Sequence, residues 1–571
     1  MLTTKYCKKT DRDNPLPEYP RPQFVRDSYF SLNGKWRFEI SKSEKIPAKI
    51  MGDIVVPFSP ETELSGVCRK ILPDEFMYYE KSFVLPHGFN KGRVFVNFGA
   101  VDQIADVYLN EKFVGSHTGG YTAFKFEITD YLNGEDKVNS LIVRVRDYSD
   151  TKFYSRGKQK LKSGGIWYTA QSGIWQSVWL ESTPVKYLER VKITPDFDRA
   201  CVNFEYFGSD GVDENVEVSV YDGDKLIAKT KEHTVYLDCF KQWSPETPFL
   251  YNVEFNAFGE TIKSYFGMRK FSVGKDDKGV WRLFLNDKPY FHNGLLDQGY
   301  YPDGLLTPPS NQAMEQDILF AKSAGFNMLR KHIKIEPLLW YHYCDVHGII
   351  VWQDMVNGGE KYGLETSVIP FVGIKLDDTN YKNFNRENEE GRSLYYQELE
   401  ETVNHLYNCP CIAVWVPFNE GWGQFDSQKV YRKLQLMDFS RIIDTTSGWH
   451  DMGSTDVISK HIYFTPIKVK SGDRPYVLSE FGGLGLRIKD HTYSDKMFGY
   501  KIFKSKETLT KAYEKLYKNV IIPQIKDGLS ATVYTQLTDV EEELNGLMTY
   551  DREVVKIDID KLKKINERLR L

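Results

Sequence analysis

The chain has 571 residues, 75 basic against 79 acidic, and a formal net charge of −4, so it carries no cationic surplus with which to hold nucleic acid or an anionic membrane surface. Hydrophobic residues make up 41% and charged residues 27%, enough apolar material for large cores, which excludes intrinsic disorder as the class. The length predicts roughly two to four domains, and no apolar run reaches membrane-spanning length.

The first ten residues, Met1-Leu-Thr-Thr-Lys-Tyr-Cys-Lys-Lys-Thr10, place no apolar segment behind their charges and do not read as a secretory signal. Seven cysteines (Cys7, Cys68, Cys201, Cys239, Cys344, Cys409 and Cys411) are scattered and odd in number. That usage suits free thiols in a reducing cytoplasm. Cys409-Pro-Cys411 lacks the second pair that a zinc site needs and reads as two small buried residues entering a strand.

Residues 1–185 read as all-β. Short alternating runs recur between turn signals, among them Gly34-Lys-Trp-Arg-Phe38, Arg93-Val-Phe-Val-Asn-Phe98 and Ser140-Leu-Ile-Val-Arg-Val-Arg146. This spacing predicts a β-sandwich of jelly-roll type. Residues 186–275 continue with period-two runs such as Val216-Glu-Val-Ser-Val-Tyr221 and Leu250-Tyr-Asn-Val-Glu-Phe255, a second β module without a titratable cluster, read as a spacer.

Over 276–571 the period changes to buried strands alternating with helices, the mark of a βα array. Strands are expected at 290–294, 326–330, 349–352, 412–416, 441–446, 456–463, 476–480 and 531–535. Helices are expected at 311–324, 336–347, 393–408, 427–438, within 506–521 and at 559–569. Eight such strands fit a (β/α)₈ TIM barrel. The connection at 357–390 is too long for a simple loop and reads as a lid.

Two strands end alike. Ile412-Ala-Val-Trp-Val-Pro-Phe-Asn-Glu-Gly-Trp-Gly423 runs apolar to Pro417, which has no N–H to donate and is expected to end the ladder. It delivers Asn419 and Glu420. Pro475-Tyr-Val-Leu-Ser-Glu-Phe-Gly-Gly483 delivers Glu480. A carboxylate at the carboxyl end of a barrel strand is where such folds keep their chemistry. Two carboxylates on strands four and seven lean over one mouth and can divide acid and nucleophile roles.

These stretches resemble glycoside hydrolase family 2, the family of β-galactosidases, β-glucuronidases and β-mannosidases. So do Asp106-Val-Tyr-Leu-Asn110 with its continuation to Phe124, Gly165-Ile-Trp-Tyr-Thr-Ala-Gln-Ser-Gly-Ile-Trp175, and Trp243-Ser-Pro-Glu-Thr-Pro-Phe-Leu-Tyr251. The resemblance implies an N-terminal sugar-binding-like sandwich whose loops rim the pocket, an immunoglobulin-like middle module and a catalytic barrel. It implies a retaining exo-glycosidase with Glu420 as acid/base and Glu480 as nucleophile, the two carboxyl groups about 5–5.5 Å apart. Asn419 is then expected on the sugar 2-hydroxyl and Tyr463 on the nucleophile. Arg330, His332, His461, Asp354, Asp297 and Trp449 are candidate substrate-binding residues, and Asp303 is a candidate in the first βα loop.

No cofactor is required by such a pair of carboxylates. Some relatives use a metal near the site, and the abundance of Asp and Glu leaves metal dependence open. The expected partner is a glycoside or oligosaccharide, with neither nucleic acid nor membrane, and a homo-oligomer is compatible. The chain departs from the family at the end of strand eight, where Tyr534-Thr-Gln536 stands in place of Trp. It also lacks the C-terminal Asn-x-Lys by which β-glucuronidases hold the substrate carboxylate. A neutral β-hexoside, galactoside first, is therefore expected over a glucuronide, with Lys331 and Lys460 as the cations that could reverse the order. Mannoside, arabinoside and a non-catalytic sugar-binding role are the alternatives.

Overall fold

Alternation of side chains decides the first part of the chain. In the computed structural model, which describes residues 2–209, 216–362, 374–470 and 472–571, Asn139–Arg146 alternates strictly between buried and half-buried positions. A strand so patterned must lay one face on a core. It sits inside a six-stranded antiparallel sheet with Gly34–Ser41, Gly52–Val56, Phe76–Phe83, Ile104–Leu109 and Lys112–Thr118. A four-stranded sheet of Phe30–Ser31, Val178–Thr183, Arg93–Phe98 and Phe124–Glu127 covers it. Val96 and Phe98 from one sheet and Tyr79, Val107 and Val143 from the other share one dry cluster.

The middle module pairs a three-stranded sheet, built on Leu188–Asp196 and Cys201–Gly208, with a four-stranded sheet built on Glu217–Asp222 and Tyr251–Ala257. Seven strands in two layers is the immunoglobulin-like count. A three-stranded meander of Phe271–Lys275, Trp281–Leu285 and Lys288–Pro289 follows. The position 275/276, expected to separate two modules, falls at the first turn of this meander. Arg282 of its central strand donates to the carbonyls of Ile525 and Leu529, fixing it to the barrel.

The barrel strands are β1 His292–Asp297, β2 Met328–Lys331, β3 Ile350–Asp354, β4 Ile412–Val416, β5 Ile442–Ile443, β6 Ile458–Ile462, β7 Tyr476–Gly482 and β8 Leu529–Thr535. They pair in parallel in the order β5-β4-β3-β2-β1-β8-β7-β6. Strands β1, β2, β3, β4 and β8 are buried at every residue, and β4 accordingly reads as a continuous apolar run. β5 and β6 share no ladder. One backbone bond and two side-chain bonds close that seam: the Asp456 amide donates to the Ile443 carbonyl at 2.9 Å, the Ile443 amide donates to Asp456 Oδ2 at 2.8 Å, and Ser459 donates to Asp444 Oδ2 at 2.7 Å.

Around the sheet lie α1 Asn311–Ser323, α2 Leu338–His347, α3 Glu389–Leu406, α4 Ser427–Met437, α5 Lys506–Leu516 and α6 Ile559–Asn566. Ser310 and Asn388 cap α1 and α3 through side-chain oxygens that accept backbone N–H groups. Gly348 closes α2 in the left-handed conformation. Among the described residues no helix links β5 to β6 or β6 to β7. Among the described residues no helix is long and apolar enough to cross a membrane. Residues 363–373, the middle of the connection expected as a lid, lie outside the described residues.

Pro417 interrupts the fourth strand rather than ending it. β4 stops at Val416, and pairing resumes one residue later, with Phe418–Asn419 lying parallel to Thr446–Ser447. Only the proline position lacks an N–H, so the extension survives and carries Asn419 and Glu420 past the rim of β4.

Candidate active site

Glu420 follows this extension at φ +51, in the left-handed region that non-glycine residues rarely occupy. Its amide donates to the Ser447 carbonyl at 3.0 Å. The chain must then turn in a confined space. A Cβ on Gly421 would lie 2.7 Å from the His450 ring, and one on Gly423 would lie 2.1 Å from the Gly358 carbonyl oxygen. Both glycines also have positive φ, so the two residues that follow the motif are required by the turn.

Glu480 lies near the end of β7, which is buried through Phe481, and faces Glu420. A carboxylate oxygen of each and one nitrogen of His461 lie within 4.8 Å of one another. The two carboxyl groups have different partners. Glu480 accepts from Arg330 at 3.3 Å on Oε1 and from the Tyr463 hydroxyl at 2.7 Å on Oε2. Thr535 lies 2.9 Å from the Tyr463 oxygen, and the Tyr500 ring stacks on Tyr463 at 3.8 Å. Among the described residues Glu420 has no Lys or Arg in ion-pair contact; its ion-pair-distance neighbour is His461. Burial pushes its carboxyl up to about 7, against the weaker pull of the Lys158 and Arg330 charges.

The tautomer of His461 follows from its neighbours. Arg330 can only donate, and it stands 3.3 Å from His461 Nε2. Nε2 is then the acceptor, and Nδ1 carries the proton, which it donates to Glu420 Oε1 at 2.7 Å. Burial lowers the His461 pKa to about 4, so the ring is neutral. With Oε1 occupied as an acceptor, any proton on Glu420 resides on Oε2.

Arg330 is the hub beneath both glutamates. It donates bidentately to Asp354, at 2.9 and 3.1 Å, and to Asn419 Oδ1 at 2.8 Å. Asn419 Nδ2 is buried and has no partner among the described residues, a donor left for something else. His332 Nδ1 contacts Asp354 Oδ2 at 2.8 Å. Asp354, expected to grip sugar hydroxyls, therefore spends both oxygens on Arg330 and His332. Asp297 is likewise placed under the floor: it accepts from Lys331 Nζ at 2.6 Å and from the Gly299 amide at 2.9 Å. Asp303 is fully buried and accepts from the Thr4 amide and hydroxyl, which ties the N-terminal segment to the barrel. Trp449 is half-buried, with its ring 6.3 Å from that of His461.

Trp422, Trp167 and Lys158 went unassigned in the sequence. Trp422, 4% exposed, meets Trp167 of the sandwich at 5.0 Å and Tyr362 at 6.2 Å, an aromatic wall two residues from Glu420. The sandwich loop 156–169 reaches the mouth. Arg156 and Gly157 amides donate to the Asn357 carbonyl, and the Gly165 and Thr169 amides donate to Glu542 and Glu541. Lys158 lies in that loop. The apolar ring pairs Trp167 and Trp422 were visible as tryptophans in the motifs; the loop contacts were not, since they depend on how two modules meet.

Three family descriptions match in chain order: "Glycosyl hydrolases family 2, sugar binding domain" over 70–184, "Glycosyl hydrolases family 2" over 186–269, and "Glycosyl hydrolases family 2, TIM barrel domain" over 307–481. A β-glucuronidase of Bacteroides fragilis is 28% identical over 490 residues, covering 79% of this chain and 65% of that protein. A β-galactosidase of Thermoanaerobacter pseudethanolicus is 26% identical over 395 residues, covering 64% of this chain and 47% of that protein. The chain thus spans less than two thirds of the length of either relative. Among solved structures, the β-D-glucuronidase of Dictyoglomus thermophilum superposes with a TM-score of 0.75 at 18% identity, covering 96% and 98% of the two chains. A β-galacturonidase from Eisenbergiella tayi does so with 0.70 at 19%, covering 95% and 98%. At such identities the superpositions speak for the fold. With the three matches following one another in chain order on a sandwich, a second sandwich and a barrel, the chain belongs to glycoside hydrolase family 2.

Proposed function

We propose that the chain is a retaining exo-glycosidase that releases a terminal β-linked sugar through a covalent glycosyl-enzyme. The observation that carries this reading is the pair of strand-end carboxylates, with oxygens within 4.8 Å, close to the spacing of retaining enzymes. Glu480 attacks the anomeric carbon while Glu420 gives the proton on Oε2 to the glycosidic oxygen, and the bond to the leaving group breaks. Glu420 then takes a proton from water, and that water opens the ester at Glu480. Arg330 and Tyr463 orient the nucleophile. Asn419 Nδ2, buried and unpartnered among the described residues, is suited to the sugar 2-hydroxyl, a contact that strengthens in the transition state. The Trp167–Trp422 wall offers apolar ring faces to the sugar or its leaving group.

Two carboxylates suffice for this chemistry, and no cofactor is part of the proposal. Glu420, His461 and Glu480 have the spacing of metal ligands. The Arg330 guanidinium beside both Glu480 and His461 opposes a second positive charge there, so the trio is assigned to hydrolysis.

The sugar is the finer question. The expected preference for a galactoside rested on the lack of an Asn-x-Lys cation. Lys331 cannot replace it, being buried between Asp297 and Glu336 at 2.6 and 2.7 Å. Lys460 stands on β6 between the inward-facing Ser459 and His461, and strand alternation turns it to the outer face. The test of the reaction itself is Glu480→Ala on a panel of nitrophenyl glycosides. Turnover is expected to vanish and to return in part with azide, giving a glycosyl azide of inverted configuration. Full activity in Glu480→Ala would remove Glu480 from the mechanism, and a wild-type chain inert on every β-glycoside would favour a sugar-binding role.

A further inference from the structure

Lys158 belongs to the N-terminal sandwich, yet its backbone is built into the barrel mouth. Gly157, at φ +61, lies so close to Ile333, the second residue past β2, that a Cβ on it would stand 3.0 Å from the Ile333 carbonyl oxygen. The Gly157 amide donates to the Asn357 carbonyl beyond β3 at 3.1 Å, and the Lys158 carbonyl accepts from the Tyr168 amide at 2.9 Å. The residue is therefore held on both sides and has no freedom to withdraw into solvent. The residue as a whole is 7% exposed. The ammonium lies 5.2 Å from the Tyr168 ring and within electrostatic range of Glu420 and His332.

Among the described residues this ammonium has neither a hydrogen bond nor an ion pair. The acids around it are already engaged. Glu543 accepts from the Tyr168 hydroxyl and from Asn545. Asp354 accepts from Arg330. One oxygen of Glu420 accepts from His461. A buried lysine normally either pairs or lets its long stem carry the charge to water. Lys158 is not paired, and its Nζ is not among the fully buried, unpartnered polar atoms, so the ammonium keeps contact with solvent beside Glu420. A cation so placed can take its counter-charge from a ligand. Hydroxyl groups could accept its hydrogen bonds, but only a negatively charged substituent also supplies a charge pair.

We propose that Lys158 is a specificity-determining, substrate-binding residue that pairs with the carboxylate of an acidic sugar, so that this chain prefers β-linked uronides to neutral hexosides. The proposal rests on the glycosidase reading for its catalytic consequence. The cation that family members place in the barrel's C-terminal part is here supplied from the sandwich.

The experiment compares kcat/KM for nitrophenyl β-glucuronide and β-galacturonide with those for the matching β-glucoside and β-galactoside, at one pH and ionic strength. Wild type, Lys158→Met and Lys158→Arg are measured side by side. The wild type is expected to favour at least one uronide over its neutral counterpart by a hundredfold or more. Lys158→Met is expected to lower that ratio about a hundredfold, and Lys158→Arg to restore part of it, which separates lost charge from lost packing. A wild-type preference for hexosides, or an equal loss on both classes in Lys158→Met, would overturn the role of Lys158 and leave the glycosidase reading standing. If no glycoside of either class turns over, the glycosidase reading fails, and calorimetric titration with free glucuronate, galacturonate, glucose and galactose decides the point. Uronate binding that is tighter than hexose binding in wild type and weakened in Lys158→Met supports the proposal; equal binding in both proteins overturns it.

Discussion

Replacing Glu420 by Gln tests whether burial sets the chemistry of this carboxyl. A carboxyl that titrates at about 7 instead of its ordinary 4.5 binds its proton more tightly in the folded chain than in the unfolded one, by about 3 kcal/mol. Between those two values the native state holds more protons than the unfolded state. Stability therefore falls as pH rises through that window, and the full deficit is present above pH 7. Gln is neutral throughout and its amide oxygen still accepts from His461, so it removes the deficit while keeping the contact. The barrel transition of wild type and Glu420→Gln is to be followed calorimetrically at pH 4.5 and pH 8. The variant is expected to gain, relative to wild type, about 3 kcal/mol between the two conditions, since every other titrating group is common to both proteins. In parallel, wild-type kcat/KM on a glycoside with a poor leaving group is expected to fall above pH 7, where the acid has lost its proton. A stability difference that does not change with pH would refute the argument that burial raises Glu420.

Glu420→Gln is also expected to lose far more activity on alkyl glycosides than on nitrophenyl glycosides, because an activated leaving group departs without protonation; equal losses would count against its role as acid. Tyr463→Phe deletes a 2.7 Å hydrogen bond to Glu480; a bond to a charged group of about 2 kcal/mol predicts a loss of roughly thirtyfold in kcat, and an unchanged kcat would place Tyr463 outside the machinery. Arg330→Met leaves Asp354 buried without its cation, a change of about 3–5 kcal/mol, so a large drop in melting temperature should accompany loss of activity; full stability would show that His332 alone holds Asp354. Trp422→Ala is expected to raise KM for oligosaccharides more than for a small nitrophenyl glycoside, and an equal effect on both would separate Trp422 from the leaving-group side of the site.

The strands were legible where both faces are buried, because apolar residues then follow one another without a gap. β4 and β7 are such cases, and the glycines after each showed that the chain turns sharply there. β1 runs from His292 to Asp297, later than the expected 290–294, because Tyr290 and Phe291 are apolar in composition yet lie just before the strand begins. Strand-end acids look alike in a sequence. What separates Glu480 from Asp297 or Asp354 is what each faces: Glu480 stands across from Glu420, whereas Asp354 faces Arg330 and His332 and Asp297 faces Lys331. Those partners come from other strands, so the difference appears only when the strands are side by side. Lys158 was illegible for a stronger reason. Nothing local marks Arg156-Gly-Lys158 as more than a basic turn, and its meaning depends on Ile333 and Asn357, in another module.

The meeting of modules also accounts for the state of Glu420. A carboxyl at the rim of an open barrel would be hydrated and would titrate in the ordinary carboxylate range. Glu420 is 9% exposed because the aromatic wall of Trp422, Trp167 and Tyr362 stands beside it and the sandwich loop bearing Lys158 closes the mouth over β2 and β3. The same loop brings a cation within range of the carboxyl, and that cation alone would favour the anionic form. Burial outweighs it, so the carboxyl remains a proton donor near neutral pH. An anion held by Lys158 would neutralise that opposing charge and raise Glu420 further. Occupancy of the sugar site by a uronate and readiness of the acid would then be coupled through one lysine, and the alkaline limb of kcat measured on a uronide should lie at higher pH than the corresponding limb of kcat/KM, which reports the free enzyme.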